Sequence, residues 1–192
     1  MSTTRDQIIE TTCQLIERQG YHATGLNEIV KESGAPKGSL YYYFPEGKEE
    51  IAAQAICRSG QAIAGHIRQN LAGGEAAEAV EQFVRRIADS VEASGFKSGG
   101  PLQTVALETA ASSERLNLAC RAAYTLLQGA FQEKLQESGY PELNAARMAS
   151  FITSAIEGGI LLSRTYHSGD PLRLVAEQLR RAIELDRPPA GH

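Results

Sequence analysis

Between Lys37 and Tyr43 the chain sets a lysine, a glycine, a serine, a leucine and three successive tyrosines within seven residues. These groups donate hydrogen bonds and include no paired nucleophile and base. A lysine ammonium suits guanine O6/N7 or a phosphate, and Gly38 admits close approach of backbone. Ser39 and the hydroxyls of Tyr41, Tyr42 and Tyr43 suit phosphate oxygens, which fix register on a duplex. Only Leu40 and Phe44, four residues apart, need face a core, so three outward tyrosines on a short helix are hard to justify as packing alone. Thr24 and Lys48, at the starts of the helices before and after, are placed to clamp phosphates on either side. Taken singly, Lys37 and Lys48 read equally well as solvated charges, and Tyr41 and Tyr43 as partly packed rings. Their joint spacing is what points to double-stranded DNA.

The other chemistry-bearing residues point elsewhere or nowhere. His22, His66, His167 and His192 form no HExxH or ExxH pattern, and no Ser or Cys sits in a nucleophile motif. The glycines from Gly95 to Gly100 lack the Lys-Ser/Thr ending of a phosphate loop. Neither enzymatic activity nor a cofactor is expected, and no metal-ligand spacing is present. Cys13, Cys57 and Cys120 are odd in number and widely spaced, as small buried hydrophobes or as a thiol redox sensor in a reducing compartment. Net charge is −4. Residues 1–50 alone carry five basic against eight acidic side chains, so bulk charge argues against nucleic acid and only placement argues for it. An apolar share of 42% with 22% charged residues describes an ordinary globular chain. No continuous apolar run reaches the roughly 18–20 residues of a membrane span, and the N-terminus MSTTRDQ has no signal-peptide core. A cytoplasmic location and no membrane partner are expected.

The elements that must position these residues read as helices broken by Gly, Pro and Ser. Ile8, Ile9, Thr12, Leu15 and Ile16 recur at helical spacing from Arg5 to Gln19, with Gly20 as a left-handed cap. A short helix follows Thr24, read as its N-cap, and buries Leu26, Ile29 and Val30. Ser33-Gly34-Ala35 is a turn, and Pro36 starts a third helix that ends at Tyr43. A long helix runs from Lys48 to about Leu71. Further helices are expected at about 75–93, 102–111, 113–137, 141–167 and 171–186, with a flexible loop at 94–101. Two short helices joined by a Gly-containing turn and preceded by a third describe a helix-turn-helix. The fold class is therefore all-α. An N-terminal three-helix DNA-binding domain (1–48) precedes a helical effector-binding and dimerisation domain (49–186) and a flexible tail (187–192).

The segments Thr24-Gly25-Leu26-Asn27-Glu28-Ile29-Val30 and Ser33 through Phe44, followed by Lys48-Glu49-Glu50, resemble the DNA-binding signature of the TetR family of repressors. Gly34-Ala35-Pro36-Lys37-Gly38-Ser39-Leu40-Tyr41-Tyr42 with Phe44-Pro45-Glu46-Gly47-Lys48 is most similar to its LmrA/YxaF-like subgroup. The resemblance implies that Thr24 meets a phosphate. It implies that Pro36, Lys37 and Gly38 face base edges, and that Ser39, Tyr41 and Tyr42 meet mostly the backbone. Tyr43 takes a slot where the family often has His, and Lys48 is the phosphate-binding lysine. The implied function is a ligand-released repressor that binds a palindromic operator as a homodimer. The alternative is an effector-independent DNA-binding protein whose C-terminal domain only dimerises.

Roughly 140 further residues of helix exceed what DNA binding needs. Phe151, Ile152, Ala155, Gly159, Leu162, Leu179 and Ile183, on the last two helices, are read as a two-fold interface, with intramolecular core as the alternative. Phe83, Leu107, Tyr124, Leu127, Phe131 and Phe151 are candidate walls of an effector pocket, with Gln103, Glu108, Gln128 and Glu157 as polar anchors. Gly129 hints at space or at close packing. The resemblance implies a small apolar or aromatic effector.

Overall fold

Apolar residues recurring every third or fourth position give each segment one buried face, and Gly or Pro ends it. The computed structural model describes residues 3–97, 99, 101–109 and 111–187. The expected tail beyond Arg187, and Ser98 and Gly100 of the expected loop, lie outside the described residues. Nine helices form among those described: α1 (Thr4–Gln19), α2 (Leu26–Ser33), α3 (Lys37–Tyr43), α4 (Lys48–Leu71), α5 (Ala76–Ala93), α6 (Pro101–Thr109), α7 (Glu114–Glu137), α8 (Glu142–Tyr166) and α9 (Asp170–Leu185). No strand forms among the described residues. Each expected helix is present, with ends within two residues of those expected.

Contacts divide the chain into two compact units, Met1–Gln61 with Gly100–Tyr124, and Ala62–Gly99 with Thr125–His192. In the first, Ile8, Ile9 and Leu15 of α1, Ile29 of α2, Ala35, Leu40 of α3, Phe44, and Ile51 and Ala55 of α4 form one core. Leu40 and Phe44 are fully buried. At about 1.5–3 kcal/mol per large apolar side chain, that burial fixes a seven-residue helix that cannot hold itself in water. Gly34 ends α2 in the left-handed conformation at φ 66°, which lets α3 turn away from α2 within three residues. In the same unit Gly60 of α4 lies so close to α7 that a Cβ there would sit 2.6 Å from the Cβ of Ala123.

In the second unit α9 packs on α5 and α8. Val80, Phe83, Val84, Ala88 and Val91 of α5 are buried with Leu172, Ala176, Leu179 and Ile183 of α9. Ala145, Ala149, Ile152, Ile156, Gly159 and Ile160 form the buried side of α8. Arg173 pairs with Glu92 at 2.6 Å and Arg180 with Glu81 at 2.9 Å, tying α9 to α5. Lys134, nearly buried, donates to the carbonyls of Gly73 and Gly74 at 2.9 and 2.8 Å and so closes the α4–α5 turn. By length and composition α8 is also the one described helix apolar enough to cross a membrane, and its inner face is part of this core.

Candidate nucleic-acid interface

The outward face of α3 follows from what its inward face must do. With Leu40 and Phe44 in the core, the 100° step per residue turns Lys37, Gly38, Tyr41 and Tyr42 to solvent. Tyr42 is 79% exposed, Tyr41 51% and Tyr43 37%. Pro36 is the N-cap and is exposed, and Ser39 is half-buried with its N–H donated to the Pro36 carbonyl. Nothing lies within 4 Å of where a Cβ on Gly38 would stand. The rings of Tyr42 and Tyr43 meet edge to face at 5.1 Å, which stiffens the pair. Among the described residues Lys37 makes no ion pair.

Lys48, expected as a phosphate clamp, is drawn toward the α1–α2 turn. Its Nζ stands 4.3 Å from the Tyr21 ring centroid and donates to the His22 carbonyl at 3.3 Å. Partial burial pushes the Lys48 pKa down, and the nearby Glu108 carboxylate opposes that. The side chain remains half-exposed.

Thr24 is placed differently from expectation. It is 1% exposed, and its hydroxyl donates to the Gly20 carbonyl at 2.7 Å. A hydroxyl has one proton, so none is left for a phosphate oxygen. The N-cap of α2 is Gly25, whose carbonyl accepts from Glu28 and Ile29, and no side chain caps that end. Cap propensity favours Thr24, and a bond made four residues upstream overrides it.

Five of the eight carboxylates of residues 1–50 are held by arginines. Arg18 pairs with Glu32 and Glu28, Arg58 with Asp6 and Glu10, and Arg115 with Glu46 at 2.7 Å. Helix α3 itself carries Lys37 and no acid.

The residues expected in an effector pocket are only partly brought inward. Phe83 and Phe131 are buried and meet edge to face at 6.0 Å, with His66 against Phe83, and Leu127 is buried in the same unit. Gln103, Tyr124, Gln128 and Glu157 are half-buried. Leu107 is 75% exposed, because α6 turns Leu102, Val105 and Thr109 inward and 107 falls on the other side. Phe151 is 52% exposed for the same reason on α8. Glu108, expected as a ligand anchor, bonds the α1–α2 turn instead. Gly129 has nothing within 4 Å of a Cβ position, so it is open rather than tightly packed.

The residues read as a two-fold interface separate in the same way. Ile152, Gly159, Leu179 and Ile183 are buried between α8, α9 and α5 of the chain itself, Ala155 is half-buried, and Phe151 and Leu162 face out. A Cβ on Gly159 would come within 2.9 Å of Leu172, so this glycine serves an internal contact. The exposed apolar side of α8 carries Leu143, Phe151, Leu161, Leu162 and Tyr166. Sequence reasoning missed Tyr21 and His22, whose partners lie 27 and 26 residues away for Lys48 and 86 away for Glu108. No local pattern announces such pairs.

Comparison with known proteins agrees with this geometry. Residues 8–55 match the family model of bacterial regulatory proteins of the tetR family, and residues 76–178 that of the C-terminal domain of LmrA/YxaF-like transcriptional regulators. The chain is 42% identical over 176 residues to the HTH-type transcriptional regulator YxaF of Bacillus subtilis (strain 168), covering 91% of this chain and 92% of that one. It is 38% identical over 173 residues to the HTH-type transcriptional regulator LmrA of the same organism, covering 88% and 90%. The crystal structure of the reduced form of E. coli NemR has the same fold, with a TM-score of 0.81 at 20% identity over 93% of this chain and 96% of that one. The chain therefore belongs to the TetR family of helix-turn-helix transcriptional regulators, in its LmrA/YxaF-like branch, a family of DNA-binding regulators rather than enzymes.

Proposed function

We propose that this regulator is a cytoplasmic, ligand-released repressor that binds a palindromic operator as a homodimer. The observation that carries the reading is the display on α3: Lys37, Tyr41, Tyr42 and Tyr43 reach solvent from a helix pinned by Leu40 and Phe44. Pro36, Lys37 and Gly38 meet base edges, Ser39 and the three tyrosines meet backbone, and Lys48 neutralises a phosphate at the edge of the site. The outer face of α8, with Phe151 and Leu162 at its centre, pairs with a second copy. That supplies the two-fold symmetry a palindrome requires, with half-sites about 34–36 Å apart. The effector is small and apolar or aromatic. Phe83, Leu127 and Phe131, with Gln128 and Glu157, are its proposed contacts in the second unit. Its binding shifts α4, a single helix that starts at Lys48, and so changes the spacing of the two α3 helices. It acts only through its unequal affinity for the two arrangements.

The test is selection of bound fragments from genomic DNA, followed by titration of the recovered operator. A palindrome bound by a dimer is expected, with Lys37→Ala costing about 1–3 kcal/mol of specific binding. Equal affinity for all sequences would overturn the reading. An operator complex stable to every compound that binds the chain would instead favour an effector-independent regulator.

A further inference from the structure

Resting on that DNA-binding reading, we propose that Glu108 is a positioning residue for the helix-turn-helix. From the last turn of α6 it holds the α1–α2 turn and, through it, Lys48. All the groups involved belong to the first unit.

The contacts converge on the His22 backbone. Glu108 Oε2 accepts the His22 N–H at 2.9 Å, and the main-chain oxygen of Glu108 stands 3.3 Å from His22 Nε2. The His22 carbonyl accepts from Lys48 Nζ at 3.3 Å. One residue is thus held by a carboxylate at its N–H and by an ammonium at its C=O. The Lys48 ammonium is also seated over the preceding ring, Tyr21. A hydrogen bond to a charged group is stronger and more directional than a neutral one, so this tether orients as well as binds.

The turn is built to admit the carboxylate. Gly20 caps α1 with φ +85°, and a Cβ there would run into the Glu108 carboxylate. Only glycine both adopts that backbone without strain and leaves that space. The Gly20 carbonyl in turn accepts the Thr24 hydroxyl, so the start of α2 is fastened to the same knot.

Helix α6 is anchored so that Glu108 is held in place. Leu102 and Val105 are buried, and they share a cavity of about 10 Å³ with Cys13 and Ile16 of α1 and Ile56 of α4. That is room for at most one water, and α6 packs on α1 beside it. Two turns of one short helix therefore carry a packed foot on α1 and a charged hand on the turn between α1 and α2.

The experiment measures amide hydrogen exchange at His22 and operator affinity in the full-length protein, for wild type, Glu108→Gln, Glu108→Ala and Val105→Ala. Glu108→Ala is expected to speed His22 exchange about tenfold or more, the loss of one charge-assisted bond. It is also expected to weaken operator binding. Glu108→Gln keeps an acceptor at the same place without its charge, so it is expected to retain part of the amide protection and an operator affinity between those of wild type and Glu108→Ala. Val105→Ala, which loosens the foot of α6, is expected to speed His22 exchange in the wild-type background and to add nothing to Glu108→Ala. Wild-type exchange at His22 in Glu108→Ala would overturn the tether. Unchanged operator affinity alongside faster exchange would overturn its bearing on DNA binding. Additive effects of Val105→Ala and Glu108→Ala would overturn the route through Glu108. Wild-type protein that bound all DNA sequences alike would instead sink the DNA-binding reading, and the exchange measurements would still decide the tether.

Discussion

Two glycines inside α4 allow the packing of that helix to be weighed against its own propensity. Alanine is favoured over glycine in a helix interior by about 0.8–1 kcal/mol. At Gly65 a Cβ meets nothing within 4 Å, so Gly65→Ala keeps that whole gain. For a chain of this size the gain raises Tm by about 2–4 °C. At Gly60 the same methyl would stand 2.6 Å from Ala123 Cβ and 2.9 Å from Ala123 Cα. Neither atom is the movable end of a long side chain, so α4 and α7 must part, at about 1–3 kcal/mol for an overpacked contact. The propensity gain is common to both variants and cancels in their difference. Gly60→Ala should therefore lie about 1–3 kcal/mol below Gly65→Ala, roughly 2–12 °C in Tm. Adding Ala123→Gly to Gly60→Ala removes the Cβ at 2.6 Å and leaves the Cα at 2.9 Å, so it should recover part of the loss and not all. The assay is thermal and urea unfolding at one fixed protein concentration, since association would move Tm with concentration. Equal stability of the two single variants would refute the close α4–α7 approach in the first unit.

Three further outcomes are expected. Lys48→Ala should lower the salt dependence of operator binding by about 0.9 in log–log slope, the release of one phosphate counterion, read from titrations between low and moderate salt. Leu40→Ala should cost about 2–5 kcal/mol of stability, while Tyr42→Ala should stay within about 0.5 kcal/mol yet weaken the operator complex. Parallel unfolding curves and gel shifts separate the two effects. Glu81, held by Arg180 and then Arg85, has a carboxyl pKa below its ordinary value. Its stabilisation is therefore fully present above the ordinary carboxylate range and fades as pH falls through it toward the folded-state value. Glu81→Gln should flatten the loss of stability between neutral pH and about pH 3, measured by urea unfolding at stepped pH.

The helices were legible because their limits are written locally. Gly20, Gly34 and Pro36 mark ends by backbone geometry, and the apolar period marks the inner faces of α1, α2 and α3. Residue placement failed where the deciding partner is distant in sequence. Thr24 looks like a helix cap until its hydroxyl finds Gly20, and Glu108 looks like a ligand anchor until its carboxylate finds His22. Helix α8 presents a different difficulty, because it is apolar on two sides. Ile152, Ile156 and Ile160 point into the core, while Phe151, Leu161 and Leu162 point out. Composition cannot rank two apolar faces of one helix, since α9 chooses between them through the gap at Gly159 that receives Leu172 and Val175.

The charge of the N-terminal segment illustrates why a sum misleads where a position decides. Eight acids against five bases within fifty residues would repel a polyanion if they were spread evenly. They are not spread evenly. Asp6 and Glu10 meet Arg58 on the α1–α4 side, Glu28 and Glu32 meet Arg18 on the α1–α2 side, and Glu46 meets Arg115 from α7. Two of those partners, Arg58 and Arg115, come from beyond residue 50, so the first fifty residues are not the unit whose charge a duplex would feel. Each pair is exposed and adds little stability by itself. Together the three guanidiniums offset three of those five carboxylates and leave the flanks acidic around a helix whose own charge is Lys37 alone. The acidity left on the flanks opposes general attraction to a polyanion, which favours weak non-specific binding and a strong dependence on fit at the operator.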